Sequence, residues 1–152
     1  MSLDLIRTQP YTDWSPEVTP ETRATLRREL EQGPVLYFPN LHFRFQPGEE
    51  RFLDPRYSDG KSKNINLRAD DRAVRGAAGT AQDLTELYNL VHRYAQSSES
   101  LIRALLPEYL PHMTRAGTSL RPSEIAGRPV SWRKDDTRLH VDSFPSNPML
   151  GK

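Results

Sequence analysis

The amino-acid sequence predicts a single α+β domain in which helices come first and the strands of a sheet begin near the C-terminus. Three observations support this class: two capped helical segments, short apolar runs between turn residues, and alternating patterns at residues 130–132 and 139–141. The 152 residues match the usual length of one domain. We therefore expect residues 1–112 to be mainly helical and residues 113–152 to start the sheet.

The first helix is predicted over residues 20–32. Thr19 is a good N-cap, because its hydroxyl can accept a hydrogen bond from a backbone amide of the first turn. Pro20 suits the first helical position, and Gly33 suits the position just after the last turn. Because Pro34 cannot continue a helix, we expect the chain to turn there.

The second helix is predicted over residues 81–106, where apolar side chains recur with a spacing of 3.6 residues. Thr80 caps it, and Asp83 stands where a capping-box partner belongs. Ser97 and Ser98 allow a split into two helices. The 13 prolines of the chain also argue against long uninterrupted helices and against a coiled coil.

The remaining segments predict short strands and loops. The apolar run at residues 35–38 predicts a buried strand, and residues 47–53 predict one or two helical turns. Residues 57–79 are polar and rich in glycine, which indicates a loop, with a strand at residues 64–68. Residues 144–152 are predicted to be loop.

Composition excludes several classes of function. The 21 basic and 20 acidic residues give a net charge of +1, which argues against nucleic acid as a partner. The absence of cysteine excludes disulfides and zinc–thiolate sites. No stretch is long and apolar enough to span a bilayer, and no signal peptide is visible. We expect a cytoplasmic protein whose membrane contact, if it has any, is peripheral on the inner membrane.

A candidate metal site lies near the C-terminus. His140 and Asp142 stand two residues apart on a predicted strand, so both side chains face the same side. An imidazole and a carboxylate placed in this way form two thirds of the 2-His-1-carboxylate triad that holds non-haem Fe(II). The tripeptide alone is weak evidence, because a hydrogen-bonded structural pair in a non-catalytic interaction module has the same pattern.

Residues 131–146 resemble the bacterial family of Kdo hydroxylases, where Kdo is 3-deoxy-D-manno-oct-2-ulosonic acid. The shared pattern runs through D-D-T-R-L-H-V-D-x-F-P-S, which is far more specific than H-x-D. Residues 35–39 and 62–65 are also similar, and the likeness extends from about Leu26 to the C-terminus.

The resemblance implies an Fe(II)- and 2-oxoglutarate-dependent dioxygenase that hydroxylates carbon 3 of Kdo in the inner core of lipopolysaccharide. It implies His140 and Asp142 as iron ligands, 2-oxoglutarate as co-substrate, and a Kdo-containing lipid A precursor as partner. It also implies that the strands near the C-terminus begin a double-stranded β-helix, the jelly-roll or cupin-like barrel.

The sequence departs from the family pattern after Asp142. Such enzymes need a second histidine on a later strand and a basic residue that binds the far carboxylate of 2-oxoglutarate, but the last ten residues contain neither histidine nor arginine. The other three histidines, His42, His92 and His112, all precede the H-x-D motif, whereas the second iron-binding histidine of such enzymes follows it. The resemblance therefore implies the N-terminal half of such an enzyme, with an incomplete barrel and little or no hydroxylase activity of its own.

Arg138 lies two residues before His140 and would share its face of the strand. We expect it to contact an anionic group of the substrate or co-substrate, because arginine recognises carboxylates through two parallel hydrogen bonds. A salt bridge to Asp136 or to another acidic residue is the alternative.

Overall fold

The computed structural model describes residues 5–62 and 64–122, which belong to one compact unit. Its helices and strands alternate along the chain, and three short 3₁₀ helices connect them. In chain order the elements are β1 (Ile6–Thr8), α1 (Pro20–Glu31), β2 (Val35–Tyr37), the 3₁₀ helices Glu49–Leu53 and Pro55–Tyr57, β3 (Ile65–Leu67), α2 (Ala81–Leu105), the 3₁₀ helix Pro107–His112, and β4 (Thr118–Leu120).

Helix α1 confirms the first predicted helix. The Thr19 hydroxyl accepts a hydrogen bond from the backbone amide of Thr22 at 3.3 Å, and Pro20 opens the helix. Gly33 follows the C-cap with a φ of 107°, a left-handed conformation that glycine adopts without steric cost. Leu26 is the buried residue of this helix.

Helix α2 confirms the second predicted helix. It is continuous over 25 residues, so the expectation that the chain lacks long uninterrupted helices was wrong. The chain has no proline between residues 56 and 106, and its prolines therefore do not interrupt this segment. Ser97 and Ser98 do not split the helix, since the Ser98 hydroxyl donates to the Tyr94 carbonyl within it at 3.0 Å. The predicted capping box of Thr80 and Asp83 is present.

Strands β1 and β2 form a parallel pair joined by α1, with Ile6 opposite Val35 and Thr8 opposite Tyr37. The prediction that residues 35–38 form a strand is confirmed for 35–37, but the prediction that it is buried was wrong. The side chains of Val35 and Tyr37 are 62% and 53% exposed. Only one face of the two-stranded ribbon packs against the rest of the unit, so the side chains on its other face remain exposed to solvent. Strand β1 was not predicted.

Strands β3 and β4 form an antiparallel pair in which Asn66 lies opposite Ser119. Strand β3 confirms the strand predicted within residues 64–68, whereas β4 was not predicted. On the side of Asn66 away from Ser119, Arg75 forms an isolated antiparallel bridge with it. The backbone amide of each residue donates a hydrogen bond to the carbonyl of the other, at 2.8 Å in both cases. The predicted helical turn at residues 47–53 is the 3₁₀ helix Glu49–Leu53.

Two hydrophobic clusters pack along α2. The first core joins the two 3₁₀ helices after residue 48, strand β3 and the N-terminal half of α2; its buried residues are Phe52, Tyr57, Ile65, Leu87 and Leu90. The second core joins α1 to the C-terminal end of α2; its buried residues are Leu26, Leu101, Leu105 and Leu106.

The predicted strands at residues 130–132 and 139–141 and the loop at 144–152 lie outside the described residues, so the division of the domain at residue 112 stays a prediction. Within residues 5–62 and 64–122, no helix combines the length and the apolar character that a bilayer crossing requires.

Candidate functional site

The residues that the sequence predicts for the metal site, His140 and Asp142, lie outside the described residues, as does Arg138. The structure therefore does not test them. In the part of the chain that the structure describes, no group of three or more His, Asp or Glu side chains is close enough to hold a metal ion.

The three described histidines have packing or surface positions. His92 stacks on Tyr88 within α2, with ring centroids 5.4 Å apart and planes 11° apart. His112 is exposed at the end of a 3₁₀ helix. The backbone carbonyl of His42 accepts a hydrogen bond from the Trp14 indole at 3.2 Å.

The clearest array of polar side chains lies on one face of the β3–β4 sheet. Side chains alternate between the two faces of a strand, and residues directly opposite each other share a face. Ile65 and Leu67 are buried on one face of β3, so Asn66 points the other way together with Ser119 and Arg75. We call this surface the polar face; its residues are Asn64, Asn66, Arg68, Arg75, Ser119 and Arg121.

Hydrogen bonds fix several side chains of the polar face. The Ser119 hydroxyl donates to the Asn66 amide oxygen at 2.7 Å, and the Asn66 amide nitrogen donates to the Asn64 carbonyl at 3.0 Å. The Arg121 Nε donates to the Asn64 amide oxygen at 2.7 Å. The amides are therefore held in defined orientations by side chains of the opposite segment and, for Asn66, by the backbone of its own segment.

Among the described residues of this face, positive charge exceeds negative charge. Arg75 binds both carboxylate oxygens of Asp71, at 2.9 and 3.0 Å. These hydrogen bonds lower the pKa of Asp71, and the nearby charge of Arg68 lowers it further. Arg115 donates to the Ala69 carbonyl at 2.9 Å, which places a further guanidinium beside the end of β3.

A glycine allows the backbone to approach the polar face closely. Gly76 has a φ of 77°, and a Cβ atom on it would lie 2.5 Å from the Asn64 carbonyl oxygen and 2.8 Å from the Ser62 Cβ. Any side chain at this position would push the chain away from Asn64. Gly76 therefore keeps the segment that carries Arg75 against β3.

A buried ion pair links the 3₁₀ helix Glu49–Leu53 to α2. Glu49 is 7% exposed, and both of its carboxylate oxygens accept hydrogen bonds from the Arg93 guanidinium of α2. The Gln46 backbone amide donates to the same carboxylate at 2.6 Å. The hydrogen bonds from Arg93 are the main cause that lowers the pKa of Glu49, against the effect of burial.

An open apolar cleft of about 220 Å³ lies beside β4, between that strand and α2. Phe43, Phe45 and Tyr94 line one side of it, and Leu120 lines the other. The rings of Phe43 and Tyr94 meet edge to face at 5.2 Å, and the Arg93 guanidinium lies 5.1 Å from the centre of the Phe43 ring. Its lining gives this cleft few groups that could do chemistry, so the polar face is the stronger candidate for a binding surface.

Alternation of polar and apolar residues in the sequence marks both strands of the polar face. Polar and apolar residues alternate from Asn64 to Arg68, as they do in a strand with one buried and one solvent-exposed face. Ser119, Leu120 and Arg121 show the same alternation. The pattern does not say which strands pair, and pairing is what brings these polar residues together.

Comparison with known proteins identifies relatives of this chain. The profile of the family described as 3-deoxy-D-manno-oct-2-ulosonic acid (Kdo) hydroxylase matches residues 13–152. Comparison with curated proteins found no significant match.

Solved structures of the Kdo hydroxylase KdoO, a non-haem Fe(II) α-ketoglutarate-dependent dioxygenase, are also similar. The cobalt(II) complex is 41% identical with a TM-score of 0.84, and the complex with α-ketoglutarate and Fe(III) is 40% identical with a TM-score of 0.82. The apo structure is 40% identical with a TM-score of 0.83. Each alignment covers 95% of this chain and 48% of KdoO, so the chain spans about half the length of these relatives. The chain belongs to the Kdo hydroxylase family.

Proposed function

We propose that this chain forms the first half of an Fe(II)- and 2-oxoglutarate-dependent dioxygenase that hydroxylates carbon 3 of Kdo in the inner core of lipopolysaccharide. The observation that carries the proposal is the family match over residues 13–152, which includes the D-D-T-R-L-H-V-D segment. The 41% identity to KdoO over 95% of the chain supports it.

In this proposal His140 and Asp142 are two of the three iron ligands. Their donor atoms, an imidazole nitrogen and a carboxylate oxygen, suit Fe(II). The 152 residues contain no histidine after Asp142, so the ligand set fits the metal in kind but lacks one member. Bound Fe(II) supplies the activation of O2 that couples oxidation of 2-oxoglutarate to succinate and CO2 with hydroxylation of the sugar.

We assign the described strands β3 and β4 to a double-stranded β-helix. Support comes from the antiparallel pairing of these strands, from α2 packed against one of their faces, and from the TM-score of 0.84 to KdoO. In this proposal the protein binds and orients the reactants and shields them from water, whereas the metal centre would carry out the oxidation.

The acceptor in this proposal is a Kdo-bearing lipid A precursor. Because such a precursor is anchored in the inner membrane, the enzyme works at the cytoplasmic surface of that membrane and contacts it peripherally. Arg138 contributes a contact to an anionic group of the substrate or co-substrate, since guanidinium groups pair with carboxylates through two hydrogen bonds.

Metal binding by the 152-residue chain tests the ligand assignment without requiring activity. Co(II) is a suitable probe because its absorption reports coordination. We expect weak binding that His140→Ala or Asp142→Ala weakens by more than the roughly tenfold loss typical of a disturbed outer-shell partner. His112→Ala is the matched control, since His112 is an exposed histidine outside the family motif. Equal binding by all three variants and the parent chain would contradict the assignment.

Succinate formation tests the proposed function itself. With Fe(II), 2-oxoglutarate and a Kdo-lipid acceptor, we expect little or no succinate from the chain alone. We expect activity when a polypeptide carrying the second half of a family member is added, and its loss with His140→Ala. Robust turnover by the isolated chain would show that its ligand set is already complete.

A further inference from the structure

The polar face combines three features that together describe a binding surface for a charged sugar. It carries amide, hydroxyl and guanidinium groups side by side, it has an excess of positive charge, and its strands hold several of these groups by hydrogen bonds. The opposite side of the same strands packs into the first core through Ile65, so the sheet itself is well supported.

The chemical groups of the polar face match those of a sugar acid. Asparagine amides and serine hydroxyls both donate and accept hydrogen bonds, as sugar hydroxyls require. Guanidinium groups donate only, in a planar fork that fits a carboxylate. Asn66, Ser119 and Arg75 lie in one row across the neighbouring strands, so a single ring could contact both kinds of group.

The charge of the face favours an anion. Among the described residues, Arg68 and Arg75 share it with one carboxylate, that of Asp71, which is already bound by Arg75. Two of the five N–H donors of Arg75 reach Asp71, and its side chain remains 60% exposed. Asp70 and Arg72 follow in the adjoining turn, and their charges offset each other.

Hydrogen bonds within the polar face also hold its amide side chains in place without a ligand. Asn66 is fixed by Ser119 and by the Asn64 carbonyl, and Asn64 is fixed by Arg121. Polar groups held on strands by neighbouring hydrogen bonds lose little conformational freedom on binding, which favours affinity and specificity.

We propose that the polar face, built around Asn66, Ser119 and Arg75, binds the carboxylate and hydroxyl groups of a Kdo-type sugar acid. This inference rests on the proposed function for its choice of sugar. It extends that proposal by assigning substrate recognition to described residues that lie apart in sequence from the metal-ligand motif.

Nuclear magnetic resonance of the ¹⁵N-labelled chain without iron or 2-oxoglutarate provides the test. Free Kdo is the probe, and D-mannose and inorganic phosphate are the comparison ligands. We expect saturable shifts of the backbone amides of residues 64–68 and 119–121 with Kdo, and much smaller shifts with mannose. Because no metal takes part, failure of the iron-site assignment leaves this result unchanged. Absence of Kdo-dependent shifts at these residues overturns the inference.

A matched pair of arginine variants sharpens the test. Arg75 and Arg103 both pair with an acid four residues earlier, and their side chains are 60% and 61% exposed, but Arg103 lies on α2 away from the polar face. We expect Arg75→Gln to weaken Kdo binding about tenfold, or about 1.4 kcal/mol, and Arg103→Gln to leave it unchanged. Equal effects of the two variants overturn the inference.

A milder pair covers the case in which loss of Arg75 disturbs the sheet. Ser119→Ala removes the hydroxyl that orients Asn66, whereas Ser98→Ala removes a hydroxyl bonded inside α2. We expect weaker Kdo binding only for Ser119→Ala. If phosphate produces the same shifts as Kdo at the same concentration, the face is a general anion site and the sugar-acid inference is wrong.

Discussion

The two cores differ in how completely they are covered. In the first core, Phe52, Ile65 and Leu87 have no exposed surface. The second core borders an open apolar groove lined by residues of α1, β2 and α2, and Val35 at its rim is 62% exposed. The buried residues of the first core come from four separate elements, whereas those of the second come from α1 and the C-terminal end of α2.

This difference shows where the stability of the described unit resides. Burial of apolar surface is the main favourable contribution to folding, and it is roughly proportional to the apolar area removed from water. We therefore expect substitutions in the first core to cost more than substitutions on the rim of the second.

The largest effect is expected from Phe52→Ala in the first core. Removing a fully buried phenyl ring costs about 3–5 kcal/mol of unfolding free energy, because the cavity does not fill completely. The adjacent Leu53 is 46% exposed, so Leu53→Ala is the control and costs about 1 kcal/mol or less. Urea unfolding followed by circular dichroism measures both. Equal losses at the two positions would mean that the first core is not the main source of stability.

An intermediate effect is expected from Arg93→Met, which leaves the buried carboxylate of Glu49 without its partner. Loss of one partner of a fully buried pair costs about 3–5 kcal/mol, and the partial exposure of Arg93 reduces the expected cost to about 2 kcal/mol. Arg103→Met is the control, since its pair with Glu99 is exposed.

The same ion pair predicts a pH dependence of stability. Arg93 holds the pKa of Glu49 in the folded chain below its usual value of 4.5. The stabilisation is therefore present above pH 4.5 and is lost as the pH falls through the lowered pKa. We expect the parent chain to lose more stability than Arg93→Met between neutral pH and that range. Parallel pH profiles for the two proteins would contradict this account of the pair.

The smallest effect is expected at the rim of the second core. Val35→Thr keeps the branched shape of the side chain but removes apolar surface from an exposed position, so we expect a change within about 0.5 kcal/mol. Fluorescence of a dye that binds exposed apolar surface should fall. A loss well above 1 kcal/mol would show that Val35 is covered and that the two cores are alike.

The helices could be predicted because the signals that begin and end them are local. Thr19 and Thr80 act on amides within three residues, and Gly33 acts on the turn just before it. The bounds of α2 could be predicted as residues 81–106, close to the observed Ala81–Leu105. The proline content argued wrongly against long uninterrupted helices, because it says nothing about where the prolines lie.

Two of the described strands could be predicted from local patterns, β2 from an apolar run and β3 from alternation of polar and apolar residues. Strands β1 and β4 were not predicted from such a pattern and form because they pair with segments distant in the sequence. The apolar run at residues 35–38 suggested burial, yet exposure depends on how many strands stand beside it.

The candidate site shows the same division between local and distant information. His140 and Asp142 were predicted from a strand pattern and a family motif, and they remain predictions. The polar face depends on Asn66 meeting both Ser119 and Arg75, which no local pattern specifies.

The parallel pairing of Ile6 with Val35 has a consequence for the order of events during translation. Strand β1 leaves the ribosome well before its partner, and the whole of α1 must be made before the two can align. During that interval β1 has no neighbouring strand to pair with, and a helix of 12 residues is only marginally stable without tertiary contacts. The pairing of β1 with β2 therefore depends on chain growth rather than on local preference.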